Sequence, residues 1–543
     1  MSAAAATQPQ RPILRVRGLT LRLPDGRALF DQLDLEVAPG EIVVILGGSG
    51  AGKSTLARVL FDRERLLADG FTVESAELAC DAPLGLVPQR GALFDHLDVA
   101  GNLELALRRS PSPPSDLAAA VRQWLGEVDL PAELADGAPV TRLSGGQGQR
   151  LAVARTLAGG RSVLFLDEPS VGLDPYRVDG LARLVRQQCD QRGAAAIVVT
   201  HDLALAVGVA DRLLVLDAET GQLTPLLGAE AGAWPGPFVR AGASRDLRAH
   251  WQAAAEKALT ERLAAPTARA VGTGRAAPMV PRGRFARRLL RLLRPFQVAA
   301  TAIIGTPREI SRFPGDFLHV FGRAWIQAFA RPAAFYAVVA TLLGFTVLYV
   351  ISHTAPVGVR AEVAIDMVGG SYIVALTPPV AGFLFVAASG SATNAWLGGM
   401  GLTRQIAALE ALGVSRERYL WAPVYCALAL SFVLVALLFA AGLLAGGLIL
   451  CKLQGVAGGW QLLGRDLLEP RPERLVYSVR ALWLVGIYAL GIAADVVAKG
   501  SADKDHADEV TKAMTSSVVA STLWVVALEL VSAFALFAAQ GGR

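Results

Sequence analysis

The sequence predicts two joined fold classes. An α/β phosphate-binding-loop (P-loop) domain comes first, and an all-α membrane domain of five transmembrane helices plus an interfacial helix follows. Three observations predict this. Gly47-Gly48-Ser49-Gly50-Ala51-Gly52-Lys53-Ser54-Thr55 stands between an apolar strand, Ile42 to Leu46, and a helix-forming run from Leu56 to Leu60, which is the context a P-loop requires. Charge is dense before about residue 330 and sparse after it, in a chain of 543 residues that is 53% hydrophobic and 18% charged. Beyond that boundary lie five apolar stretches long enough to cross about 30 Å of hydrocarbon.

The bulk numbers narrow the partners. The net charge is +5 with a pI near 9.1, but the excess concentrates just before the first apolar stretch. Anionic lipid headgroups explain it there better than nucleic acid does. Cys80, Cys189, Cys426 and Cys451 lack metal-ligand spacing and read as small buried hydrophobes, not as a disulfide framework. The opening MSAAAATQPQRP has neither a basic start nor an apolar core, so it is no signal peptide and the first domain is expected in the cytosol.

Within the loop, glycines let backbone N–H groups and the following helix N-terminus wrap a phosphate chain. Lys53 is placed to reach the β/γ-phosphates and Ser54 to ligate Mg²⁺. Further pieces follow in order: Gln89 in Leu86-Val87-Pro88-Gln89, then Leu143-Ser144-Gly145-Gly146-Gln147. Next come Val163-Leu164-Phe165-Leu166-Asp167-Glu168-Pro169, Gly172-Leu173-Asp174, and Ile197-Val198-Val199-Thr200-His201-Asp202. Asp167, ending an apolar strand, can hold Mg²⁺ through water. Glu168 beside it is placed to polarise or deprotonate an attacking water. His201 ends a second apolar strand, where it could meet the γ-phosphate and hold that water and Glu168 in line. Ser144-Gly145-Gly146 should open a helix, Gln147 to Ala158, whose N-terminus is a second anion site.

These residues, over about 12–225, resemble the ATPase of an ABC transporter, with its Walker A, Q-loop, LSGGQ signature, Walker B with glutamate, D-loop and H-loop. The resemblance implies head-to-tail pairing of two ATPase domains. ATP would then lie between Lys53 of one copy and Ser144, Gly145 and Gln147 of the other, with Gly146 in the same signature. It implies that Asp174 communicates across the seam, and that Gln89 ligates Mg²⁺ and senses the membrane domain. Many members stack adenine on an early aromatic residue, whereas Leu23 takes that place here. An aliphatic cover forgoes roughly 1–3 kcal/mol of stacking, by analogy with base–aromatic contacts.

Residues 226–283 read as a linker. Ser244 to Ala264 could be one helix, given Leu247, Trp251 and Ala255, and Ala265 to Pro281 reads as a tether. In Arg284 to Phe296, five arginines face one way and Phe285, Leu289, Leu292, Leu293 and Phe296 the other, as in a basic amphipathic helix in the membrane interface. The expected spans are about 332–352, 367–399, 419–451, 475–498 and 513–539, the second broken by Pro378-Pro379. Ten arginines between Arg282 and Arg331 put that flank in the cytoplasm. Five crossings then put the C-terminus on the periplasmic side. Leu402 to Gly413 forms a short cytoplasmic helix closed by Gly413, where an ATPase would push. Asp495 and Glu529 are costly at bilayer depth, and either role stays open: a satisfied interior group, or a headgroup or coupling site. Arg480 could snorkel.

Residues 285–539 resemble the MlaE-type permeases of bacterial phospholipid transport, most clearly at Gly398-Gly399-Met400, Gln405-Ile406, Ala408-Leu409-Glu410, Leu412-Gly413-Val414, Arg418-Tyr419-Leu420 and Pro423. The ATPase likewise resembles MlaF, so an ATPase and its permease look fused. The chain departs from the family at Ala388 (an Arg there), Trp396 (a Glu) and Arg404 (a Glu). Trp396, Arg404, Glu410, Asp495 and Glu529 are therefore the candidate lipid or coupling positions. The resemblance implies an ATP-hydrolysing phospholipid transporter of the inner membrane, acting as a homodimer with ATP and Mg²⁺. It also implies a periplasmic MCE-domain protein and a cytosolic STAS-domain protein as partners. An exporter of small amphiphiles is the competing reading, although such half-transporters usually have six spans.

Overall fold

The computed structural model describes residues 11–48, 50–89, 92–227, 245–264, 284–354, 361–456, 458–465, 472–504 and 506–541. Ser49 and the tether 265–281 lie outside them, as do the side chains of 284–292, on which most of the two-faced reading of that helix rests. The chain divides into two compact units. The first is Met1–Arg282 with Thr403–Val414, and the second is Gly283–Leu402 with Ser415–Arg543.

The first unit is built on two sheets. Strands β1 (Leu14–Arg22), β2 (Ala28–Val37), β4 (Thr72–Glu74) and β5 (Glu77–Cys80) form an antiparallel sheet. Strands β3 (Ile42–Leu46), β6 (Leu84–Val87), β7 (Val163–Asp167), β8 (Ala195–Val199), β9 (Arg212–Leu216) and β10 (Leu223–Pro225) form the second, in the order β10-β9-β3-β8-β7-β6. In it β6, β7, β8, β3 and β9 run parallel and only β10 is antiparallel. Strands β3, β7 and β8 are buried at every residue. This is why they read as unbroken apolar runs: a parallel sheet is covered on both faces.

Helices α1 (Lys53–Phe61), α2 (Arg63–Ala68), α3 (Val99–Arg108), α4 (Leu117–Glu127), α5 (Gly145–Ala158), α6 (Pro175–Arg192) and α7 (Leu203–Val209) complete the domain. Each of α3 to α7 has an Asp or Ser N-cap whose side chain accepts a backbone N–H: Asp98, Asp116, Ser144, Asp174 and Asp202. Such caps satisfy the orphan donors of the first turn. Helix α5 starts at Gly145, two residues before the expected start, because Ser144 and Gln147 close a capping box around it. The linker helix is α8 (Arg245–Ala264), with Ala255 buried and Arg248 Nη1 at 3.9 Å from Asp179 Oδ1.

The Thr403–Val414 segment packs in this unit. Its helix, Gln405–Ala411, is shorter than the expected 402–413 because Arg404 at φ 57° interrupts the path from the preceding helix. It ends in a Schellman motif. Val414 N–H donates to Leu409 O (3.1 Å) and Gly413 N–H to Glu410 O (2.8 Å), with Gly413 at φ 75°. Ala411 belongs to the same apolar cluster as Leu86 and Phe165.

The second unit is helical. Its first helix, Arg284–Arg312, is longer than the expected interfacial helix and runs through Pro295 and Pro307. Among the described residues, five helices are long and apolar enough to cross a membrane: Pro314–Thr354, Ile373–Leu402, Glu417–Leu453, Leu475–Gly500 and Ala507–Ala538. Helix Ala361–Ala375 gives way to Thr377–Phe385 at Pro378-Pro379, both in the new helix's first turn, where a missing N–H costs nothing. The first and third spans meet backbone to backbone. A Cβ built on Gly344 would stand 2.1 Å from Leu443 O, and one on Gly446 2.0 Å from Thr341 O.

Candidate functional site

The loop Gly47–Gly52 leaves the C-terminal end of β3 and enters α1 through Gly52, at φ 99° in the left-handed region that favours glycine. Gly50 is also left-handed and Ala51 is buried. Lys53 Nζ folds back on the loop, donating to Gly47 O (2.7 Å) and Gly48 O (3.0 Å). Ser54 and Thr55 follow in the first turn of α1, on the helix's N-terminal side, where backbone N–H groups face anions.

Asp167 ends β7 and is buried; Glu168 follows at φ 49°. Its backbone N–H donates to Val199 O (2.7 Å) in β8, and its side chain meets His201: Glu168 Oε2 lies 2.7 Å from His201 Nδ1 and accepts His201 N–H at 3.2 Å. A left-handed Glu is strained backbone of the kind held at functional sites. Burial pushes the Asp167 carboxyl above the ordinary carboxylate range. The Arg404 guanidinium opposes that rise, Glu168 adds to it, and Ser54 and Lys53 oppose it more weakly.

Loop, Asp167, Glu168 and His201 thus gather at the C-terminal ends of three adjacent parallel strands, the usual ligand edge of such a sheet. Asp167 Oδ1 is buried without a conventional hydrogen-bond partner, and the Ser54 hydroxyl stands beside the carboxylate. An open carboxylate oxygen beside a hydroxyl is the start of a hard-oxygen donor set, which fits Mg²⁺ sharing phosphate ligands. Among the described residues no three His, Cys, Asp or Glu form a cage.

The signature residues stand elsewhere. Ser144 caps α5 and is tied to Gln147 in both directions, Gln147 N–H to Ser144 Oγ at 3.4 Å and Ser144 N–H to Gln147 Oε1 at 2.9 Å. Gly145 faces Leu173 at 3.8 Å from an added Cβ, and Gly146 faces Arg177. Asp174 caps α6 and pairs with Arg177 at 3.0 Å. Ser144, Gly146, Gln147, Leu173 and Arg177 help line a cavity of about 330 Å³ that shares no residue with the P-loop cluster. Tyr176 stands 86% exposed beside it.

The Q-loop is clamped from α5. Gln149 Nε2 donates to Gln89 O (2.7 Å), and Arg155, fully buried, donates to Ala92 O (2.8 Å) while stacking over Phe94 at 4.3 Å. The Thr403–Val414 segment approaches the same region, with Asp95 N–H donating to Gln405 Oε1 (3.4 Å). Arg404 Nη1 lies 3.4 Å from Asp167 Oδ2. Sequence reasoning passed over Gln149, Arg155 and this reach of Arg404. The available signal was Arg155 itself, a charge four residues from Leu151 on the buried side of α5.

Trp396 lies under the Arg323 guanidinium at 5.8 Å. Asp495 is satisfied by Lys499 (2.8 Å), Ser517 (2.8 Å) and Ser521 (3.2 Å). Glu529 pairs with Arg480 and accepts Tyr488 O–H at 2.8 Å. Glu410 lies in the first unit with Arg404.

The ABC transporter family model matches residues 30–171, and the Permease MlaE model matches residues 323–535. The chain is 37% identical over 199 residues to the aliphatic sulfonates import ATP-binding protein SsuB 1 of Xanthomonas axonopodis pv. citri, covering 36% of this chain and 78% of that protein. It is 41% identical over 214 residues to the sulfate/thiosulfate import ATP-binding protein CysA of Bordetella bronchiseptica, covering 38% of this chain and 59% of that one. Among solved structures it is similar to the dimeric ATP-binding cassette MJ0796 bound to ADP and Pi, with 23% identity, a TM-score of 0.33, and coverage of 40% of this chain and all of that one.

Proposed function

Because this chain belongs to the ABC transporter family and carries an MlaE permease domain after its ATP-binding cassette, we propose that it is an ATP-hydrolysing phospholipid transporter of the bacterial inner membrane, working as a homodimer. The MlaE domain supports lipid as the cargo. One observation carries the coupling. Thr403–Val414 lies inside the permease match, yet it packs with the ATPase, sharing a core with β6 and β7. A permease segment seated in the ATPase core is what a chain that turns nucleotide closure into membrane motion needs.

In this reading Lys53 leaves the Gly47 and Gly48 carbonyls to pair with phosphate, and the loop amides bind the rest of the chain. Ser54, Asp167 and Gln89 would hold Mg²⁺, which would supply positive charge against the developing charge of the phosphates. Glu168 accepts the proton of the attacking water, and His201, bonded to Glu168, fixes its direction. Ser144, Gly145, Gly146 and Gln147 close over the partner copy's nucleotide, with Asp174 at the seam. Gln89 passes closure to Gln405 and the Thr403–Val414 segment, and through Arg404 and Glu410 to the spans. Trp396, Asp495 and Glu529 shape the cargo path. The ATPase lies in the cytoplasm and the C-terminus in the periplasm, where an MCE-domain protein receives lipid; a STAS-domain protein sits on the ATPase.

Gentle purification followed by native mass spectrometry, with ATP-dependent transfer of a fluorescent phospholipid from proteoliposomes, tests this. Two copies retaining phospholipid, with ATP-dependent transfer, are expected. A dimer without phospholipid, whose ATPase responds only to small amphiphiles, would replace this reading with the exporter.

A further inference from the structure

We infer that Arg404 is a built-in counter-cation for Asp167, so that the Thr403–Val414 segment and the nucleotide-bound divalent metal compete for one carboxylate. This rests on the reading of Asp167 as a metal ligand, and it adds that the membrane-linked segment senses the metal directly.

The geometry carries it. Asp167 is buried, and among the described residues Arg404 is its only ion-pair partner, at 3.4 Å. Lys53, the obvious cation of the loop, is instead bonded to Gly47 O and Gly48 O. A carboxylate at this depth needs a counter-charge, and when no metal is bound Arg404 supplies it. The contact is longer than the 2.7–2.9 Å of an optimal charge-assisted bond, and the Arg404 side chain is 40% exposed. The pair is therefore weak enough for a divalent ion to displace. Arg404 stands at φ 57° at the N-cap position of its helix and gives no side-chain cap bond. It forgoes the local role of an N-cap residue and spends a strained backbone position on reaching β7.

Two ligands that share one anion are coupled reciprocally. Metal loading must loosen the segment, and withdrawing the segment must tighten the metal. Arg404 is a positioning residue here, because it acts on the metal through Asp167.

The experiment uses the full chain in lipid nanodiscs with Mn²⁺ as the probe, read by electron paramagnetic resonance in the presence of ADP. Hydrogen exchange at the Gln405–Ala411 amides is read in parallel. R404Q should lower the half-saturating Mn²⁺ about three- to fivefold, the range of a partly exposed ion pair, while R404K stays near the parent. In the parent, Mn²⁺ should speed exchange at Gln405–Ala411; in R404Q the exchange should already be fast and insensitive to metal. Unchanged Mn²⁺ binding in R404Q, with D167N weakening it, overturns the role of Arg404 and leaves the metal site standing. Unchanged Mn²⁺ binding in both variants overturns the metal-site reading as well.

Discussion

Glu168 owes its position to two strands. Its N–H is tied to Val199 O of β8 and its carboxylate to His201 just beyond β8, while Asp167 before it stays in β7. Glu168, at a left-handed φ, meets His201 while Asp167 meets Arg404, so the two successive carboxylates have different partners. E168Q keeps size and the His201 contact but removes the proposed base, so ATP turnover should fall about 10²- to 10⁴-fold while ATP binding persists. Single-turnover and nucleotide-trapping measurements check this, and undiminished turnover sinks the assignment. Arg155 is a structural counterpart. R155M leaves Ala92 O without a donor and removes the contact with Phe94, so it should cost about 1–3 kcal/mol in denaturant unfolding. Loosening of the Q-loop should accompany that loss. The first residue was legible because an apolar strand ending in Asp-Glu is a local pattern. The second was not, because its meaning comes from Ala92 and Phe94, some sixty positions away in the chain and brought close only by the fold.

At the scale of elements, legibility followed how local the cause was. Strands β3, β7 and β8 and the cap at Ser144 are written in adjacent residues. The interfacial helix expected to end at Phe296 continues through two prolines to Arg312, and the helix expected from Leu402 starts only at Gln405. Pairing between spans is less local still. Gly442 and Gly446 lie four apart on the third span and face Ala340 and Thr341 of the first, which is the small-residue spacing that lets membrane helices approach closely. Spacing alone did not distinguish these glycines from the chain's many others. G446L places a side chain where the first span's backbone already stands. It should lower the thermal midpoint in detergent by several degrees, a loss of about 1–3 kcal/mol, whereas a substitution at Gly486, where an added Cβ meets nothing within 4 Å, should leave it unmoved. Equal midpoints for the two variants would remove the close-approach argument.

For the whole molecule, the central fact is that, among the described residues, the loop cluster and the signature cavity are separate. The loop cluster holds Lys53 and Asp167, the signature cavity holds Ser144 and Gln147, and the two share no lining residue. ABC ATPase domains work as dimers, and we propose that the signature N-terminus serves the nucleotide of a second copy. In a two-fold homodimer each nucleotide site then draws on both copies. K53A damages one half of a site and S144A the other, so either homodimer has two defective sites. When both variants are co-expressed with different tags and assemble at random, about half of the dimers pair one with the other. In each such mixed dimer both defects fall in the same site and the second site is whole. Isolated by tandem tags, mixed dimers should therefore recover one functional site per dimer, and up to about half of the parent's ATP turnover if sites act independently. Both pure variants should stay near background. Recovery requires that Lys53 of one copy and Ser144 of the other act on the same nucleotide; absence of recovery in mixed dimers that still bind ATP would mean either that the sites lie within single chains or that one cannot fire without its twin. Occlusion of a non-hydrolysable ATP analogue separates these, because the whole site of an obligate pair still occludes one nucleotide per mixed dimer without firing, whereas sites within single chains occlude none.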